Sequence, residues 1–254
     1  MKLTWHRRNL RLSHPFKIAR RLDQSIDKQV LLVEIKHAGQ VGRGESAPTG
    51  YYHQTLDSSE SALARAGDLL GSDPFALEAI HARLRAAISD QPATIAALDG
   101  ALHDLCGKLL GIPVWRWLGV DRATLPLTSF TIGIDDIQVM AGKVREAAGY
   151  PILKVKIGTP QDAPILEMLR REAPDKVLRV DANCGWTGEN VLARCREMAR
   201  FRVELIEQPT PAGLHDALPA VRAERIAPLI ADESCIGVDD VLRCVSAFDG
   251  INIK

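Results

Sequence analysis

The stretch Ile152-Leu153-Lys154-Val155-Lys156-Ile157 decides how this chain reads. It is an apolar run of strand length, broken only by two lysines at alternate positions. Side chains alternate across a strand, so both lysines point to one side and Leu153 and Val155 to the other. Three acidic tripeptides keep step with it downstream: Asp181-Ala182-Asn183, Glu207-Gln208-Pro209 and Asp232-Glu233-Ser234, before Lys254 closes the sequence. Starting from Lys156, the intervals to Asp181, Glu207, Asp232 and Lys254 are 25, 26, 25 and 22 residues. Each of these polar residues follows or ends a short apolar run, as a residue at a strand tip does. A polar tip on every strand of a repeating strand–helix unit marks an active site rather than a core.

The surrounding pattern is strict alternation. Strands are expected at 125–132, 152–157, 177–180, 203–206, 228–231 and 250–253, with amphipathic helices near 136–148, 160–173, 188–200, 213–224 and 238–246. Short apolar strands joined by helical crossovers make a parallel sheet covered by helices. Functional residues at successive C-terminal strand ends favour a closed barrel, where those ends surround one point. Residues 1–120 read differently, as strands followed by helices. Val30–Ile35 is a strand run, with a turn expected at Gly39-Gln40. The third helix carries Ile95, Leu98, Leu102, Leu105 and Leu109 on one face and stops at Gly111-Ile112-Pro113. The polar segment 16–29 is a surface loop or a lid. The expected fold class is therefore α/β: an α+β N-terminal capping domain over 1–120, then a partial (β/α) barrel of modified TIM type over 121–254. About six barrel strands are present where a (β/α)8 barrel has eight, which leads to the expectation of a C-terminally truncated chain.

Composition narrows the function classes. Lys+Arg and Asp+Glu are 32 each among 254 residues, so no net field recommends a nucleic-acid or membrane partner. The five cysteines follow no zinc or Cys-x-x-Cys spacing, and no signal-peptide run opens the sequence. Reduced thiols and a cytoplasmic location are the expectation. No GxGxxG or GxxxxGK[ST] follows a strand, which removes support for a nucleotide-binding open sheet.

Asp181, Glu207 and Asp232 would bring three carboxylates to one rim, where they repel unless a cation neutralises them. All-oxygen ligation suits Mg²⁺ better than Zn²⁺. Lys154 and Lys156, turned inward together, are expected to depress each other's pKa, so that a neutral amine can act as a base. Lys254 would face them across the barrel. A lysine on each side of a metal-held carboxylate suggests proton removal from one face of a carbon and return on the other, with Mg²⁺ stabilising the enediolate between.

These motifs, in this order and spacing, resemble the enolase superfamily, specifically its muconate-lactonising subgroup. The run Gly42-Arg43-Gly44-Glu45-Ser46-Ala47-Pro48 resembles that superfamily's capping domain, and Gly107–Pro113 its entry to the barrel. The resemblance implies that Asp181, Glu207 and Asp232 bind Mg²⁺, that Lys156 and Lys254 are the acid/base pair, and that Lys154 assists Lys156 and neutralises the substrate carboxylate. Asn183 and Glu233 would stand behind the ligands, Glu233 orienting a ligand or Lys254. Within the subgroup, Thr128–Ile134 and Glu45–Tyr52 look most like dipeptide (L-Ala-D/L-Glu) epimerases, which implies Thr131, Arg20 and Tyr51 as substrate contacts. Specificity there also rests on an Asp-x-Asp beyond Lys254. The alternatives are o-succinylbenzoate synthase, muconate cycloisomerase or N-acylamino-acid racemase, and, in another class, an inactive fragment. The expected partner is a small carboxylate substrate, bound by a homo-oligomer.

Overall fold

The computed structural model describes residues 1–22 and 26–253. They form two compact units, residues 1–13 with 26–125, and residues 14–22 with 126–253.

In the first unit, β1 (Lys2–Arg11), β2 (Asp27–His37) and β3 (Gln40–Ser46) make an antiparallel sheet in that order. Ala38 and Gly39, with φ of 46° and 78°, close the β2–β3 hairpin with His37 opposite Gln40. Two positive φ values in a two-residue loop match the right-handed twist of the strands. The turn thus lies one residue before the expected Gly39-Gln40. Helices α1 (Leu56–Ala66), α2 (Leu77–Ile88), α3 (Pro92–Leu110) and α4 (Val114–Trp117) follow. Alternate residues Leu31, Val33 and Ile35 of β2 share one core with Leu63, Ile80, Leu84, Leu98, Leu102 and Leu105. Helix α3 ends as expected, with Gly111 in the left-handed region at φ 68° and its N–H returned to the carbonyls of Gly107 and Lys108.

Gly42 and Gly44 share the β3 face that lies on α3. A Cβ at Gly42 would sit 2.6 Å from the Leu105 Cβ, and one at Gly44 would collide with the Ala97 carbonyl oxygen. The Gly-Arg-Gly spacing is thus a packing requirement, since only hydrogen side chains let the strand approach the helix backbone this closely.

The second unit holds six parallel strands in sequence order: β4 (Ser129–Ile132), β5 (Ile152–Lys156), β6 (Val177–Asp181), β7 (Val203–Glu207), β8 (Leu229–Ala231) and β9 (Gly250–Ile251). Helices α5 (Ile137–Glu146), α6 (Asp162–Glu172), α7 (Val191–Ala199), α8 (Leu218–Ala223) and α9 (Val241–Cys244) alternate with them. Leu153, Val155, Leu178, Val180 and Ile206 form a buried core with Ile165, Leu166, Leu169, Val191 and Met198 of the helices. That apolar layer leaves the opposite faces of β5 to β7 for Lys154, Lys156, Asp181 and Glu207. The six strands match expectation, but several boundaries move. β4 starts at Ser129 rather than Leu125, with Pro126 outside the ladder. α8 starts only at Leu218, where Pro219 fits a first turn, and the last helix splits into a 3₁₀ turn at Val238–Asp240 and the short α9.

The close approach of β3 to α3 predicts that Gly44→Ala costs about 1–3 kcal/mol by overpacking. A thermal melt should fall by several degrees, while Gly50→Ala, where a Cβ would meet open space, should leave the transition unmoved.

Candidate active site

Strand register brings the polar tips into one row. Lys156 pairs with Asp181 and Asp181 with Glu207 across β5, β6 and β7. The register slips between Leu178 and Arg179, so that Val203 and Leu205 face consecutive β6 residues and Glu204 is extra. That bulge brings Glu207 level with Asp181 and accounts for the 26-residue interval. Asp232 follows β8 directly, and Asn252 follows β9 with its N–H donated to Ala231 O at 2.7 Å.

The two lysines face inward together, as alternation requires. Lys156 Nζ lies 2.6 Å from Asp181 Oδ2, and Lys154 Nζ lies 3.1 Å from the same oxygen and 2.6 Å from Glu207 Oε2. Glu207 is two strands away from Lys154, about 10 Å at ordinary strand spacing, a gap that two long side chains on the same face can span. Asn252 Nδ2 donates to Glu207 Oε1 at 2.7 Å and to Asp232 Oδ1 at 3.1 Å. The three carboxylates are therefore joined through an ammonium and an amide. Among the described residues no group of three His, Cys, Asp or Glu side chains converges as a metal cage requires. The three carboxylates lie along the strand ends with one ammonium and one amide between them.

Electrostatics follow from this packing. Burial, and then the charge of Asp181, push Glu207 up to about 7 against the pull of Lys154. Burial also acts to raise Asp181, but Lys156 and Lys154 outweigh it and hold it below the usual carboxylate range. The expectation for the lysine pair fails at Lys154. Burial does work to lower its pKa, yet Asp181 and Glu207 together overcome this and hold it above the ordinary lysine value. Two adjacent carboxylates outweigh the effect of burial.

Behind the row, Asn183 Nδ2 donates to Glu233 Oε1 at 3.1 Å, linking the loops after β6 and β8. Among the described residues Asn183 Oδ1 and Glu233 Oε2 are buried without a hydrogen-bond partner. Glu233 also pairs with Arg20 at 2.7 Å. Thr131 is half-buried on β4, in register with Lys154. The Phe16 ring stands 6.0 Å from Lys156 Nζ. Tyr51 belongs to the first unit, in a short 3₁₀ turn with its ring edge-on to Tyr52 at 4.9 Å. Lys254 lies outside the described residues.

Sequence reasoning assigned no role to Gln208 or Asn252. Gln208 is fully buried at a left-handed φ of 34° and uses its whole amide. Its Oε1 accepts the N–H groups of Asp232 at 2.8 Å and Ser234 at 3.0 Å, and its Nε2 donates to Thr210 O at 2.8 Å and Ser234 Oγ at 2.7 Å. The signal available beforehand was its place beside Glu207 at a strand tip. Gln208→Ala would leave two loop amides unpaired, at about 1–3 kcal/mol. Urea unfolding should show a lower midpoint at unchanged slope, and an unchanged midpoint would remove Gln208 from this role.

Comparison with known proteins gives the family of the chain. The N-terminal domain model of mandelate racemase / muconate lactonizing enzyme matches residues 2–119, and the enolase C-terminal domain-like model matches residues 136–254. An L-Ala-D/L-amino acid epimerase from Maribacter sp. is 36% identical over 256 residues, covering 100% of this chain and 74% of its own length. The substrate-liganded L-Ala-D/L-Glu epimerase of Bacillus subtilis matches with a TM-score of 0.91 at 28% identity, over 100% of this chain and 74% of that one. A dipeptide epimerase from Enterococcus faecalis V583, solved with Mg and the dipeptide L-Leu-L-Tyr, matches with a TM-score of 0.90 at 31% identity, over 99% of this chain and 73% of that one. The chain spans about three quarters of the length of these relatives. With both domain models matched in order and the strand-tip row in register, the chain belongs to the mandelate racemase/muconate-lactonising branch of the enolase superfamily.

Proposed function

We propose that this protein is a Mg²⁺-dependent dipeptide epimerase that removes and returns the proton α to a carboxylate. The observation that carries the reading is the row Lys156–Asp181–Glu207, with Lys154 bridging the two acids on the inner face of the sheet. The relatives support the isomerase class, being named epimerases, and the chemistry of the row supports the proton transfer.

The all-oxygen chemistry of the donor set suits a hard divalent cation, with Lys154 and Asn252 lying between the carboxylates that would have to converge on it. Asp181, Glu207 and Asp232 are buried oxygen donors, and the positions between them already attract the Lys154 ammonium and the Asn252 amide. These three carboxylates would hold Mg²⁺, which supplies stabilisation of the negative charge that develops on the substrate carboxylate. Lys156 is the base that takes the α-proton. Its buried amine is aimed by Asp181, and the Phe16 ring covers it against water. Lys154 keeps its charge beside two acids and serves to neutralise the substrate carboxylate. Lys254 is the acid/base residue for the opposite face, a role that rests on the resemblance. Asn183 and Glu233 hold the loops that carry Asp181 and Asp232. Thr131, one strand from Lys154, is positioned to line the substrate cleft. Tyr51 is retained as a substrate contact on the strength of the family likeness alone.

Incubation with L-Ala-L-Glu and a panel of other dipeptides in D₂O should exchange the α-proton of the C-terminal residue. Lys156→Ala should lower that exchange by about 10²–10⁴-fold. Absence of exchange on every dipeptide would sink the reading. A second expectation concerns the cation. Glu207 is pushed up to about 7, so part of it is protonated near neutrality, and a divalent cation displaces that proton. Calorimetry in two buffers of different ionisation enthalpy should show proton release on Mg²⁺ binding, with affinity rising from pH of about 6 to about 8.

A further inference from the structure

Residues 14–22 belong to the barrel unit and are stitched to it at several points. His14 Nε2 lies 2.8 Å from Glu146, Lys17 Nζ lies 3.2 Å from Asp135, and Ile134 N donates to Lys17 O at 3.0 Å. Ile18 and Arg21 then exchange both backbone hydrogen bonds, at 3.2 and 2.8 Å, closing a tight turn with Ala19 and Arg20 at its tip. This turn reaches three strand-end loops. Ala19 packs where a Cβ on Gly158, after β5, would lie 2.9 Å away. Arg20 Nη1 lies 3.9 Å from Cys184 Sγ, after β6, and Arg20 Nη2 lies 2.7 Å from Glu233 Oε1, after β8.

The Glu233 side chain is 2% exposed and that of Arg20 is 27% exposed. A carboxylate buried that deeply needs a cationic partner, and its other oxygen finds no donor among the described residues. Glu233 Oε1 also accepts from Asn183, so the ion pair bears on both loops that lead from Asp181 and Asp232.

We propose that Arg20 is a positioning residue: through Glu233 it locks the turn 18–21 across the ends of β5, β6 and β8. Arg20 thereby sets the geometry of the site without contacting the substrate. The lock stands on contacts within the barrel unit, so its first readout is independent of whether the enzyme is an epimerase.

The test is amide hydrogen exchange of the full chain, comparing wild type with Arg20→Gln, Glu233→Gln, the double variant and Arg20→Lys. If the two residues act through each other, each single change should speed exchange at Ile18, Arg21 and Ile134 by about tenfold, with global melting little changed. The double variant should go no further than either single one, and Arg20→Lys should restore most of the protection. Unchanged exchange in Arg20→Gln, or effects that multiply in the double variant, would overturn the proposal. Should Glu233→Gln fail to fold, the Arg20→Gln and Arg20→Lys pair still decides it, since loss without rescue excludes an ion-pair lock.

Discussion

Everything at the strand ends depends on balancing charge on one face of a parallel sheet. Lys154, Lys156, Asp181 and Glu207 are removed from much of the solvent, and none would be tolerated there without the others. The balance is close. The two lysines outweigh burial at Asp181 and hold it below the usual carboxylate range, whereas burial and the charge of Asp181 outweigh Lys154 at Glu207 and push it up to about 7. A row in which one acid is over-satisfied and its neighbour under-satisfied is electrostatically prepared for one more cation.

The loops beyond the strands are held by side-chain amides and ion pairs as well as by buried apolar residues such as Trp186 and Cys235. Gln208 ties the turn after β7 to the turn after β8, Asn252 ties β9 to both acids, and Arg20 ties an N-terminal turn to Glu233. Asn183, Cys184 and Gln208 take left-handed φ values of 44°, 66° and 34° at these same places. Non-glycine residues in that region carry backbone strain, which persists where neighbouring hydrogen bonds over-determine the conformation. The strained residues here sit beside the two interior acids Asp181 and Glu207.

The parts of the site that were legible beforehand share one property: their signal is periodic along the chain. Lys154, Lys156, Asp181, Glu207 and Asp232 recur with the βα repeat, and alternation within β5 turns both lysines inward. Gln208 and Asn252 carry no such signal, because these amides acquire their roles mainly from partners 20 to 45 residues away. The pKa of Lys154 was misjudged for a related reason. Adjacency of two ammonium groups is visible along a strand, but the opposing acid on β7, two strands across, is not. In the capping unit the Gly42-Arg43-Gly44 signature was recognised before its cause, which is the backbone of α3 lying against that strand face.

The sequence by itself determined the alternation of strands and helices, the inward face of β5 and the identity of the acidic tips, since each follows from local periodicity and residue chemistry. Only the tertiary structure decided which cation meets which acid, where the extra residue in β7 falls, and that Arg20 meets Glu233. Those outcomes depend on strand pairing, side-chain reach and loop closure, which bring together side chains from 25 to more than 200 residues apart, at distances that no local pattern encodes.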